Sequence, residues 1–151
     1  MVNYGLGKVY QIIDRRCTAD DPGYCVYVGA TTQLLTKRWY GHKNPLSGQS
    51  MQITRLIVTQ GAENFRIVLV EKVPCKDREE LNMWHELWRQ KLGPTHNEVR
   101  AHVCPLATVY NKFGNDVGKV REILNKFDML AVSERERAGA TCDEDTGSSG
   151  T

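Results

Sequence analysis

The chain reads as an α/β protein: a small, mainly antiparallel three-stranded sheet flanked by helices, with a helical carboxy-terminal extension. Three observations predict it. Two short segments near the amino terminus alternate apolar and polar residues on either side of a strong turn. Further segments repeat apolar residues at helical spacing. A β-branched, strongly apolar run lies between two of those helical segments.

Lys8–Asp14 (KVYQIID) and Cys25–Gly29 (CVYVG) are the alternating segments, and Ala19-Asp20-Asp21-Pro22-Gly23 between them is the turn, so they form a hairpin with a long loop. Thr31 and Thr32 offer capping hydroxyls to a helix that carries Leu34, Leu35, Arg38, Trp39 and His42 and ends at Asn44-Pro45, because the residue before a proline avoids helical torsions. Met51–Gln60 is a second short helix closed by Gly61, and Phe65–Val73 is the third strand. Asp77 caps a third helix running to about Lys91, stopped by Gly93-Pro94. It carries Leu81, Trp84, Leu87 and Trp88 on one side, and the apolar group Leu81, Trp84, Trp88 and Leu92 is expected to face the core. Beyond Asn97 the periodicity weakens until Asp116–Met129, where Val117, Val120, Ile123, Leu124 and Phe127 predict a last helix.

The 151 residues, 40% hydrophobic and 25% charged, fit an ordinary soluble domain able to bury its own core. No apolar run approaches the roughly 20 residues of a membrane helix, and Met1–Gly5 lacks the charged-then-apolar pattern of a secretory leader. Five cysteines, an odd number with no Cys-x-x-Cys pair, point to reduced, buried thiols. An intracellular protein of cytoplasm or nucleus, with no membrane partner, is expected. The overall charge, 20 Lys+Arg against 18 Asp+Glu, conceals an asymmetry. Residues 133–151 hold five acids and two bases and lack periodicity, so they are expected to be a disordered acidic tail; residues 1–132 keep 18 bases against 13 acids, a net +5.

Chemistry concentrates in the first half. Val9-Tyr10 and Val26-Tyr27 place two phenols on what are expected to be neighbouring antiparallel strands, and the next helix presents Arg38 and His42 four residues apart, on one side. Two phenols, a guanidinium and an imidazole suit phosphodiester chemistry, since Arg stabilises phosphate charge while Tyr and His move protons. Their order and spacing resemble the GIY-YIG nuclease family, of the single-module homing-endonuclease or viral type. KVYQI at Lys8–Ile12 stands for the first half of the signature, VYVGATT at Val26–Thr32 for the second, and LTKRWYGHK at Leu35–Lys43 for the arginine helix. The likeness continues through GAENFRIVLVEKVPCKDREEL and WRQKLGPTHN to Asn97.

The resemblance implies a metal-dependent endonuclease that hydrolyses phosphodiester bonds in double-stranded or branched DNA, or else a catalytically degenerate module that binds nucleic acid without cutting it. It assigns Tyr10, Tyr27 and His42 to proton handling, Arg38 to the scissile phosphate, and Asn97 and Gly29 to support, a side chain at Gly29 crowding the strand-to-helix crossing. It further implies one Mg²⁺ or Mn²⁺ held by a helix glutamate. Counting back from Pro94 and Asn97, that position is His85, with Glu86 one residue out of register. A shift of one residue turns a side chain by about 100°. On the helical wheel His85 flanks the apolar group and Glu86 points nearly opposite it. The alternatives stand open: a local bulge brings Glu86 to the metal, His85 is itself the ligand, or cleavage has been lost. Glu79 and Glu80 are more poorly spaced.

Lys37, Tyr40 and Lys43 beside Arg38 are candidate nucleic-acid contacts, with Trp39 expected in the core. Arg55, Arg66, Arg89, Lys91 and Arg100 are further basic candidates, while Lys112, Lys119, Arg121 and Lys126 make the extension either a DNA-contacting arm or a capping helix. The resulting organisation is a nuclease-like module over 1–100, a helical extension over 101–132 and the tail over 133–151.

Overall fold

A computed structural model describes residues 2–46, 51–96 and 105–127, side chains 51 and 105 excepted. Asn97, Arg100, the end of the last predicted helix and the 133–151 tail lie outside the described residues. The chain divides into two compact units, Met1–Ala101 and His102–Thr151.

In the first unit β1 (Lys8–Asp14), β2 (Cys25–Thr31) and β3 (Phe65–Lys72) form an open antiparallel sheet in the order β2-β1-β3. The most apolar segment, β3, takes an edge and leaves Leu69 exposed; the hairpin strand β1 takes the centre. The reason lies in its pattern: Val9 and Ile13 supply apolar groups beside Tyr10 and Ile12, so a strand interrupted only by Gln11 is covered on both faces. Irregularities in pairing between Ile12 and Ile13, and between Val9 and Tyr10, twist this central strand.

Helices α1 (Leu35–Lys43) and α2 (Met51–Gln60) cover the sheet face that carries Tyr10, Ile12 and Tyr27. Ile53 and Ile57, one turn apart, are fully buried there, and Leu35 and Trp39, also one turn apart, pack against the same cluster. Trp39, expected in the core, is partly buried at its edge. The hydroxyls of Thr31 and Thr32 do not cap α1: its N-cap is Leu34, without a side-chain hydrogen bond, and Thr31 Oγ1 instead accepts from the Gln33 N–H.

Helix α3 (Arg78–Leu92) lies against β2 and β1. Asp77 caps it by accepting from the Glu80 N–H, a contact of about 1 kcal/mol. Gly93, at φ 58°, ends it in the left-handed conformation that glycine adopts freely. Its buried face is Glu80, Leu81, Met83, Trp84 and Leu87 rather than the stripe through Trp88 and Leu92. Trp88 stays half-buried because its indole N–H donates to Glu71 at the rim of the sheet, and a buried indole would need such a partner inside.

The second unit holds α4 (Pro105–Phe113), which was not expected, and α5 (Val117–Lys126), packed on each other, with Val109, Val120 and Ile123 buried and Asp116 capping α5. Among the described residues no helix is long and apolar enough to cross a membrane. Cys25 and Cys75 are free and buried, and burial pushes their thiols up to about 11 and about 12; Cys17, expected to be buried, is only partly so.

Candidate active site

The register of the hairpin sets the site. Tyr10 pairs directly with Gly29, and Tyr27, two residues back on β2, lies diagonally on the same face, with ring centroids 6.3 Å apart. Gly29 has a reason other than the strand-to-helix crossing. A Cβ built on it would stand 2.4 Å from the Tyr10 hydroxyl and Cζ, so the missing side chain is the space into which the Tyr10 ring reclines.

From above, α1 lowers Arg38 and His42 onto that ring. Arg38 Nε donates to the Tyr10 oxygen at 2.9 Å, and the same oxygen is 2.8 Å from His42 Nε2. The His42 ring stands edge-on to Tyr27, centroids 5.3 Å apart. The fold therefore brings together four of the five nominated catalytic groups, Tyr10, Tyr27, Arg38 and His42, and leaves out Glu86. Their depth differs: Tyr10 and His42 are 0% exposed and Tyr27 is buried, whereas Arg38 is half-buried.

Burial governs their charge. It pushes the Tyr10 phenol far above its ordinary value, helped by Tyr27 and opposed by Arg38. It lowers His42 to about 4, with the nearby Arg38 charge adding to the effect. Phenol and imidazole are both neutral at pH 7, and the only charge in the chain of contacts is the guanidinium. His42 Nδ1 is buried and makes no hydrogen bond among the described residues.

A pH prediction follows. The unfolded chain protonates this histidine below about pH 6.5, while the folded chain resists until about 4, so the unfolded state binds more protons across that window. Stability is full above the window and is expected to fall by up to about 3 kcal/mol as pH drops through it. Urea unfolding at pH 7 and pH 4.5 measures this; His42→Gln should flatten the dependence, and an equally steep one in the variant would contradict it.

Arg38 opens onto a cleft of about 370 Å³. Thr31, Thr32 and Gln33, from the end of β2, line one part of it, and Arg78, Asn82 and His85, from one face of α3, line another. His85 Nε2 lies 3.0 Å from the Val28 carbonyl oxygen, which can only accept, so that nitrogen carries the proton and the ring is fixed. Arg78 and Asn82 were not nominated, although Arg78, Asn82 and His85 follow each other at four and three residues, the spacing of a single helix face.

Glu86 is turned elsewhere. Both its oxygens accept from Arg89, at 2.8 and 2.5 Å, and one accepts from Gln90 at 2.9 Å. Burial raises its proton affinity, but these donors outweigh it and hold the carboxyl below its ordinary range. It does not line the cleft, and α3 has no bulge that would turn it inward: the helix runs unbroken through both residues. Among the described residues no group of three or more His, Cys, Asp or Glu side chains is placed to hold a metal ion. A hard, oxygen-seeking Mg²⁺ or Mn²⁺ is therefore not fitted by the described donor set, in which His85 is the one metal-ligating type at the cleft and no carboxylate among the described residues lines it.

Lys37, Tyr40 and Lys43 are exposed along α1, with Lys43 Nζ 5.6 Å from the centre of the Trp39 ring. Arg89 is committed to Glu86, and Lys91 lies over Trp88. Just before Asn97, Thr95 and His96 donate backbone N–H groups to the Cys25 and Val26 carbonyls along β2. Comparison with protein-family models, with curated proteins and with solved structures found no match.

Proposed function

We propose that the chain is a DNA endonuclease of GIY-YIG type, hydrolysing phosphodiester bonds inside the cell, in cytoplasm or nucleus. The observation that carries this reading is the Arg38 side chain: its Nε is anchored by the buried Tyr10 phenol, and its remaining N–H groups meet no partner among the described residues, in a cleft also lined by Arg78 and His85. Such a pre-aimed guanidinium suits the developing charge on a phosphate under attack. A surface that only bound nucleic acid would not require a buried phenol–imidazole pair behind its arginine.

In the proposed reaction a phosphate in the cleft draws on Arg38 and loosens its hold on the Tyr10 oxygen. The place that Arg38 Nε gives up beside the otherwise enclosed Tyr10 oxygen is taken by the attacking water, and that oxygen takes a proton from it as the phenolic proton passes to an unprotonated His42 Nε2. The water oxygen bonds phosphorus, one P–O ester bond breaks, and the departing oxygen takes its proton from solvent. Burial is the larger cause of His42's neutrality and Arg38 repulsion the smaller; phosphate charge near Arg38 offsets the second, so substrate itself favours the transfer. Lys37, Tyr40 and Lys43 extend the contact along the strand. One site cuts one strand, so a double-strand break would take two events or two copies.

A second reading, binding of nucleic acid without cleavage, is favoured by one observation: Glu86 is tied to Arg89 and Gln90, and no carboxylate among the described residues lines the cleft. Incubation of the protein with supercoiled plasmid in Mg²⁺, in Mn²⁺ and in EDTA separates the two. Nicking in any of these conditions supports the hydrolase. Plasmid that shifts on a gel yet stays uncut supports the second reading, and plasmid that is neither cut nor shifted would refute both.

A further inference from the structure

We infer that the cleft grips a phosphodiester through the protein's own cations, Arg38 and Arg78, with His85 where a metal-holding carboxylate would stand, and needs no divalent ion to do so. The inference deepens the nuclease reading and rests on it for the identity of the ligand as nucleic acid.

It starts from the charges that line the cleft. A site that binds phosphate through a metal ion carries carboxylates for the metal, and these repel phosphate until the ion neutralises them. Among the described residues the lining holds two guanidinium groups and no carboxylate, so none of them opposes the attraction. Arg38 comes from α1 and Arg78 from the first turn of α3, so the cations belong to two separate elements bordering one space. Asn82, one turn beyond Arg78, adds an amide that can donate to a phosphate oxygen, and Thr31 adds a hydroxyl. His85 is fixed through Nε2 to the β2 backbone, so its place at the wall of the cleft is set by the fold. The one carboxylate beside it in sequence, Glu86, is already saturated by Arg89 and Gln90. Recruiting it to a metal would break those bonds and turn its side chain about 100° around the helix.

Fluorescence anisotropy of a labelled duplex oligonucleotide, titrated with the full chain in EDTA and in Mg²⁺, tests this. Wild type should bind in EDTA, and Mg²⁺ should weaken binding, as a competing counter-ion does. Arg78→Ala, at an exposed position, should reduce the slope of log Kd against log salt by about one, the signature of one lost phosphate contact. His85→Glu should weaken metal-free binding about tenfold, the order of one charge-assisted contact, with Mg²⁺ or Mn²⁺ now restoring part of it. Circular dichroism confirms that both variants fold. The inference is overturned if wild type binds only with Mg²⁺ or Mn²⁺, or if Arg78→Ala leaves the salt slope unchanged. Plasmid left intact in every condition, beside metal-free binding that depends on Arg78, would remove the hydrolase reading and leave the inference standing. Nicking and binding that both require metal would do the reverse.

Discussion

Replacing Gly29 by alanine is expected to destabilise the protein by about 3–5 kcal/mol, a large share of the 5–15 kcal/mol that a typical domain has. On torsional grounds alone the change would help, because glycine in a strand costs roughly 0.5–1 kcal/mol relative to alanine. Space decides the opposite sign. The new methyl would sit 2.4 Å from the Tyr10 hydroxyl, and that hydroxyl is held by Arg38 and His42. The ring escapes only by breaking both bonds inside a buried cluster, which adds lost hydrogen bonds to overpacking strain. Thermal and urea unfolding measure the effect. The attribution to Tyr10 is checked by a double-mutant cycle: in a Tyr10→Leu background, Gly29→Ala should cost much less. A Gly29→Ala protein as stable as wild type would mean that the Tyr10 ring is not seated over β2.

Arg38→Ala is expected to lower kcat for nicking about 10²–10³-fold, the usual cost of removing one group that stabilises transition-state charge. Arg38→Lys distinguishes geometry from charge. Lysine keeps the positive charge and hence most of the salt dependence of binding, but it has neither the Nε–H that Tyr10 anchors nor the planar fork that matches phosphate. Its binding should stay close to wild type while its rate stays close to that of the alanine variant. Full activity in Arg38→Lys would show that anchoring by Tyr10 has no part in the reaction.

Local chemistry made much of this legible in the sequence. β1 begins and ends where its alternation does, because the Asp-Pro-Gly turn confines the hairpin, and α3 begins at Asp77 and ends at Gly93 because both carry their cap chemistry in the side chain or its absence. What escaped was set by packing. Periodicity ranked Trp88 with Leu81, Trp84 and Leu87 in the core of α3, but the indole N–H pairs with Glu71 at the rim and the buried face takes in Met83 instead. Helix α4 was hidden because the periodicity weakens beyond Asn97, although Pro105 is of a type preferred as the first residue of a helix. At the site, alternation and helical spacing could say that Tyr10, Tyr27, Arg38 and His42 share a face. They could not say that Tyr10 and His42 would be wholly enclosed with Arg38 alone reaching the cleft, since depth depends on how α1 and α2 close over the sheet. The choice between residues 85 and 86 was likewise a matter of helix rotation, and it was the packing of α3 on β2 that turned His85 to the cleft and left Glu86 to Arg89.

The central claim is that the Tyr10 hydroxyl, joining Arg38 to His42, takes part in phosphodiester hydrolysis. Single-turnover nicking of supercoiled plasmid by wild type and Tyr10→Phe, compared at equal concentrations of folded protein, addresses it most directly. Phenylalanine keeps the ring over Gly29 and removes only the hydroxyl, so binding should survive while the rate falls about 10²–10⁴-fold, the range for loss of a proton-transferring group. Equal rates in the two proteins would contradict the account.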